Sequence, residues 1–262
     1  MKNIIFSDIS KFSVPFIWPD KDALSLVQLR LHLKETFFSS IQVLPTTLSK
    51  MQEICGKTLD MWEHDGSNIP EKFDPQFIIE EAKKGNKFRC VEYAYVASAL
   101  GNAYGIQSRS VGLQTEDVET REMGAGHVVI EYWDKEFSKW VLIDVQCGII
   151  PFCKGIPLSA VELCGLLENN SEELNFKLTA SKKIDPNKKA FMVDRWKNWI
   201  GQYLYYFSFS TAPYGTTSLE RLTRKQVMLT PLGAHQPKVF QKKDPIVCEY
   251  TDCVADVYPR FS

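Results

Sequence analysis

Three residues of this chain have the types and the order needed for covalent catalysis: Cys90, His127 and Asp144, 37 and 17 residues apart. A thiol nucleophile needs a base to take its proton, and the base needs a carboxylate to hold its tautomer and orientation. Cys90 stands where a helical pattern begins. A thiol there meets the positive end of the helix dipole and free backbone N–H groups, which favour the nucleophilic thiolate. The same N–H groups suit the oxyanion formed when a thiolate attacks a carbonyl. His127 opens a β-type run behind Gly124-Ala125-Gly126, whose glycines keep the approach open. Asp144 lies inside the apolar run Trp140-Val141-Leu142-Ile143-Asp144-Val145, where a carboxylate is costly to bury unless it is paired.

The elements that must position these residues can be read from hydrophobic period. Over 90–104, Val91, Ala94, Ala97, Leu100 and Tyr104 form one stripe, with Val96, Ala99 and Ala103 apolar on other sides. A helix that is small and apolar nearly all round is a buried one. Gly105 ends it, and the period then changes to two. Strands are expected over 106–113, 127–133 and 140–145, the last two joined by a polar hairpin connection over 134–139. Pairing Trp133 with Trp140 places His127 opposite Gln146 and diagonal to Asp144. A two-residue shift pairs His127 with Asp144 directly. Both registers keep the two side chains on one face, and only a one-residue slip separates them.

Elsewhere, residues 46–62 read as a helix with Thr47 as N-cap and Leu48, Met51, Ile54, Cys55, Leu59 and Trp62 at helical spacing. Asp74 caps a further helix, with Pro75 at its first position and Gly85 at its end. Ser159 to Glu162 is a capping box opening a short helix. Residues 187–204 look helical, with Trp196, Trp199 and Ile200 as core candidates. From about Tyr205 the chain turns to aromatics, prolines and short β-type runs such as 226–229 and 246–250. The expected organisation is an N-terminal segment over 1–45, a core over 46–155, and a helical then β-rich extension over 156–262 that packs on the core.

The segments Gly85-Asn86-Lys87-Phe88-Arg89-Cys90-Val91-Glu92-Tyr93, Tyr104-Gly105-Ile106-Gln107-Ser108-Arg109-Ser110-Val111, Gly126-His127-Val128-Val129-Ile130-Glu131 and Trp140-Val141-Leu142-Ile143-Asp144 together resemble the core of the transglutaminase-like superfamily. That superfamily carries a Cys at the head of a central helix, followed by a Gly-Ile-x-x-Arg-x-Val strand, a His-x-x-x-Glu strand and a Trp-x-x-x-Asp strand. The resemblance spans about 48–145 and implies an α+β, papain-like core, with the Cys-bearing helix packed on an antiparallel sheet. It also implies a Cys-His-Asp triad on Cys90, His127 and Asp144. Family members use an upstream aromatic or amide side chain as a second oxyanion donor, which points to Trp62, with His64 as a weaker polar candidate. The chain departs from the pattern at Arg89, where many members have Gly. A cation beside the nucleophile would favour its thiolate, contact an acidic substrate or face solvent.

Composition narrows the class. The chain has 262 residues, with 44% hydrophobic and 24% charged, as in a folded globular protein. A net charge of -1 leaves no broad electrostatic footprint for nucleic acid or anionic lipid. No apolar run is long enough for a membrane span. The first eleven residues lack the apolar core of a secretory signal. Seven Cys without dense spacing read as reduced thiols rather than a disulfide framework, and Cys147/Cys153 and Cys248/Cys253 lack zinc-type spacing. The expected setting is therefore cytoplasmic, with no metal and no cofactor.

The expected function is cysteine-dependent acyl transfer on an amide or ester through a thioester, with a peptide, protein or small amide as substrate. Water as acceptor makes it a protease or amidase; an amine makes it a cross-linking enzyme. The charged loop over 114–125 would rim the site or be only a solvated loop. The alternative is a non-catalytic module on the same fold, binding a protein or peptide through the aromatic-rich residues from Tyr205 onward.

Overall fold

A computed structural model describes residues 4–10, 14, 16–20, 22–169, 172–212 and 226–261. Residues 213–225 of the C-terminal extension, and 1–3 and 11 of the opening stretch, lie outside this set.

The helical half comes first. Helix α1 (Leu24–His32) runs into a π-type turn (Lys34–Phe38), followed by α2 (Thr47–Met61), α3 (Pro75–Lys83) and α4 (Cys90–Ala103). The caps are those that the side chains dictate. Asp74 Oδ1 accepts the Phe77 N–H at 2.7 Å, with Pro75 at the first turn. For α2 the cap is Thr46, one residue before the expected Thr47: its hydroxyl accepts the Ser49 N–H at 3.1 Å, and Ser49 answers the Thr46 N–H. Helix α4 is buried nearly all round, with Ala94, Val96, Ala97, Leu100 and Ala103 sealed from solvent. Its small residues let it approach closely. A Cβ on Gly101 would sit 2.4 Å from the Ser108 hydroxyl. Gly105, at φ +85°, then turns the chain into the sheet.

Strands β1 (Ser108–Gln114), β2 (Gly126–Asp134) and β3 (Lys139–Ile143) follow. Next come β4 (Ile149–Cys153), β5 (Ile156–Pro157), α5 (Ala160–Glu168), β6 (Leu174–Leu178) and α6 (Lys189–Ile200). The C-terminal part adds β7 (Tyr206–Ser210), β8 (Gln226–Leu229), β9 (Val239–Phe240), β10 (Asp244–Pro245) and β11 (Glu249–Thr251). The main sheet has six strands in the order β11-β8-β7-β1-β2-β3, antiparallel except at β11/β8. The C-terminal strands thus extend the sheet that carries the site. Strands β5-β4-β6 form a smaller sheet, and β9/β10 a two-stranded ribbon.

The β2/β3 register pairs Trp133 with Trp140 and Ile130 with Ile143. Strand β3 stops at Ile143, short of the expected 145, because Asp144 leaves the ladder to bridge Ile149 at the start of β4. The two faces of the sheet feed two cores. Ile130, Tyr132, Val141 and Ile143 pack with α4. Val111, Leu113, Val129 and Leu142 pack with α5, α6, β7 and β8. By alternation, Arg109, His127, Glu131 and Asp144 belong to this second face, the one covered by the C-terminal segment. No helix among the described residues is long and apolar enough to cross a membrane.

Candidate active site

Cys90 is the first residue of α4, and the turn that presents it is locked by its neighbours. Glu92, at the third helical position and wholly buried, accepts the Arg89 N–H at 3.0 Å. The same carboxylate takes the Arg89 guanidinium at 2.6 Å and 3.1 Å. The cation beside Cys90 is therefore committed to its own helix rather than to solvent, and it neutralises a buried carboxylate that would otherwise be costly.

His127 and Asp144 meet as the strand parity requires. Asp144 Oδ2 lies 2.9 Å from His127 Nε2, with both side chains buried. The Cys90 thiol at the head of α4 lies close enough to the same imidazole to act on its titration. Burial pulls the His127 pKa down, but the Asp144 charge and the hydrogen bonds to Asp144 and Cys90 outweigh it and push it up to about 10. Burial works the other way on Asp144. The imidazolium charge and the donors around it nevertheless hold its carboxyl below the usual carboxylate range.

Those donors include groups that sequence reasoning placed elsewhere. Trp196 Nε1 donates to Asp144 Oδ2 at 2.7 Å, and the Cys147 backbone N–H donates to Oδ1 at 3.0 Å. Trp199 packs edge-on against the His127 ring with centroids 4.7 Å apart, and Tyr203 lies 4.9 Å from Trp199. The helical period marked Trp196 and Trp199 as core residues, which they partly are. The available hint was chemical: a buried Trp needs an acceptor for its N–H, and Asp144 was an apolar-strand carboxylate in need of donors.

Trp62 ends α2 in an extended conformation. Its ring stacks on Tyr93 of α4 at 4.5 Å and meets Phe88 edge-on at 5.6 Å. Its carbonyl accepts from Tyr93 Oη and Lys183 Nζ. Its indole Nε1 is buried without a hydrogen-bond partner among the described residues, the state expected of a donor awaiting an acceptor. His64 pairs with Phe88 through a backbone bridge. Burial and then the His127 charge lower its pKa, which places it within electrostatic reach of the triad.

Burial pushes the Cys55 and Cys147 thiols well up, and Cys164 up to about 12. All seven Cys are free, and among the described residues no group of three His, Cys, Asp or Glu is placed to hold a metal. The charged loop after β1 is tied to the C-terminal segment: Glu119 accepts the Lys238 N–H at 2.7 Å and meets His235 at 2.9 Å, and Glu122 pairs with Lys242 at 3.1 Å.

The family model for the transglutaminase-like superfamily matches residues 39–145. Among solved structures, a candidate cysteine protease from Cytophaga hutchinsonii is 16% identical, with a TM-score of 0.38 over 53% of this chain and 43% of its own. A candidate protease from Parabacteroides distasonis is 17% identical, with a TM-score of 0.30 over 45% of this chain and 25% of its own. This chain thus covers less than half of either structure. A search of curated proteins gives no match. Trp196, Trp199 and Tyr203 lie beyond the matched segment, whereas Trp62, Cys90, His127 and Asp144 lie within it.

Proposed function

We propose that this protein is a cysteine-dependent acyl-transfer enzyme acting on an amide or ester carbonyl of a peptide, protein or small amide. One observation carries the reading: the head of α4 brings the Cys90 thiol to an imidazole that is paired at 2.9 Å with a buried carboxylate. In the reaction, Cys90 sulfur attacks the carbonyl carbon and forms a tetrahedral oxyanion. Backbone N–H groups at the helix start and the unpaired Trp62 indole receive that oxygen. His127 gives its proton to the departing amine or alcohol, the C–N or C–O bond breaks, and a thioester remains. The neutral imidazole then takes a proton from water or an incoming amine, which attacks the thioester and frees Cys90. A reducing compartment such as the cytoplasm suits this chemistry, since the nucleophile must stay a free thiol.

The test is to trap the thioester. The protein is mixed with a panel of peptides, small amides and esters, quenched in acid, and read by mass spectrometry for an acyl adduct on the peptide containing Cys90. An adduct that is lost in Cys90→Ala is the expected result. Chasing it with water or with a primary amine then separates hydrolysis from cross-linking. An adduct that persists in Cys90→Ala, or that maps to Cys147, overturns the reading.

A further inference from the structure

We infer that Trp196 is a positioning residue that decides which nitrogen of His127 exchanges protons, so that the acyl-transfer site extends beyond the family-matched segment into α6. This role presupposes the acyl-transfer reading and adds to it a part supplied by the C-terminal segment.

The argument is one of donors and acceptors. Asp144 Oδ2 receives Trp196 Nε1 at 2.7 Å and faces His127 Nε2 at 2.9 Å, while Oδ1 receives the Cys147 backbone N–H at 3.0 Å. An indole N–H can donate and never accept, and a backbone N–H is the same. Each oxygen has two lone pairs, and the donors on both stabilise the ionised carboxylate over the protonated one. The hydrogen between His127 and Asp144 therefore stays on Nε2. Nδ1 is left as the ring nitrogen that gains and loses a proton, the one available to Cys90, the leaving group and the acceptor. A hydroxyl in place of the indole could turn round and accept, and would not enforce this direction.

Trp196 is built to hold that position. It is buried among the second-core residues, with its ring edge-on to Phe176 at 5.8 Å. Trp199 follows one helical turn later and Tyr203 about another, so one face of α6 and its end delivers the donor to Asp144 and the aromatic cover to His127. The other titratable groups facing the pair are Cys90 from α4, Cys147 from the turn after β3, and His64 from the stretch after α2.

Two variants delete the donor. Trp196→Phe keeps a ring in the slot. Replacing Trp196 by 3-benzothienylalanine keeps the bicyclic shape, with sulfur where the N–H was, and serves where Phe leaves a cavity. The readouts are the His127 ring ¹⁵N shifts above about pH 10, where the ring is neutral and they report the tautomer, and Cys90 alkylation by iodoacetamide between about pH 5 and 9, with melting curves as the folding control. With the melt retained, the expected result is mixed tautomers, an acid limb moved to higher pH, and neutral-pH alkylation slowed at least about tenfold. That loss should fall short of the roughly 10⁴-fold loss associated with losing the carboxylate itself. Unchanged shifts and an unchanged pH profile in a benzothienyl variant that melts like the parent overturn the inference. His127→Ala separates the two levels. If it slows alkylation while the Trp196 variants do not, only the role of Trp196 falls. If it leaves alkylation unchanged, the acyl-transfer reading falls as well.

Discussion

The same face of the same sheet holds two buried ion pairs, and they are wired for opposite ends. Arg109 on β1 and Glu131 on β2 are directly paired in register, and their side chains meet at 2.7 Å. Every side of this pair is closed. Glu131 Oε1 accepts the Tyr258 hydroxyl at 2.8 Å and the Ala160 N–H at 2.9 Å, and Arg109 Nη1 donates to the Val257 carbonyl at 2.6 Å. The guanidinium lies 4.1 Å from the Trp140 ring centre and 4.4 Å from that of Phe209. Four residues along β2, His127 pairs with Asp144. Here the carboxylate is equally saturated, but the cation is an imidazole that can give up its proton and that meets a thiol on its other side. Both Arg109 and Glu131 belong to the family-like motifs, yet their geometry is that of a rivet. Saturation on both partners makes a structural lock; saturation on the carboxylate alone, beneath a titratable base, makes a site.

Asp144→Asn should break this contrast most sharply. Oδ2 faces both Trp196 and Nε2, so an amide NH₂ placed there enforces the opposite tautomer and loses the Trp196 hydrogen bond, while an amide oxygen there turns the NH₂ against the Cys147 N–H; in either pose the charge that stabilises the imidazolium is gone. Acyl-transfer rate, or Cys90 alkylation at neutral pH, should fall by up to about 10⁴, as for the equivalent change in a serine-protease triad, with the cooperative fold retained. A large drop in melting temperature with unaltered Cys90 reactivity would put Asp144 in the structural class instead.

Glu131→Gln is the mirror experiment. It leaves the Arg109 charge buried without its partner, so denaturant unfolding should show a loss of about 3–5 kcal/mol. Cys90 alkylation in the folded fraction should match the parent. Reactivity lost in proportion to stability would merge the two pairs into one unit.

Trp62→Phe probes the orphan donor. Loss of an oxyanion donor lowers turnover by about 10²–10³. Since the indole N–H has no partner to lose, stability should hold steady, and a thermal melt alongside the turnover assay checks both halves.

The smallest effect lies in pH. His127 has its pKa raised to about 10, so its contribution to stability is fully present below the free-imidazole value of about 6.5 and is lost as pH rises through about 10. Asp144 is held below its ordinary value of about 3.9, so its share is present above that value and is lost as pH falls through the lowered one. A guanidinium does not titrate in the upper window, so the rivet adds no slope there. Melting curves from pH 7 to 10 should decline in the parent, and the decline should vanish in Asp144→Asn, where burial keeps the imidazole neutral.

Much of this was legible in the residues. Helix α4, its stop at Gly105 and the Asp74 and Ser159 caps follow from local rules of period and capping, and the structure keeps each of them; of the two β2/β3 registers left open it takes the one that pairs Trp133 with Trp140. Strand parity alone put His127 and Asp144 on one face. The errors were local too, and small. The α2 cap moved by one residue, because Ser49 answers Thr46, and β3 ended early, because Asp144 turns off to β4.

The sequence by itself therefore determined that Cys90 stands at a helix head and that His127 and Asp144 share one face, because these rest on periods of 3.6 and 2 and on contacts a few residues apart. Tertiary structure alone decided what surrounds the triad. Trp196 reaches Asp144 across 52 residues, Tyr258 reaches Glu131 across 127, and β7, β8 and β11 complete the sheet whose second face they cover. Those pairings are chosen by which surfaces can be buried together once the chain has closed its long loops. No local pattern of polarity encodes that choice: Trp196 in its helix looks the same whether its N–H finds a carbonyl, a water or the carboxylate of a triad.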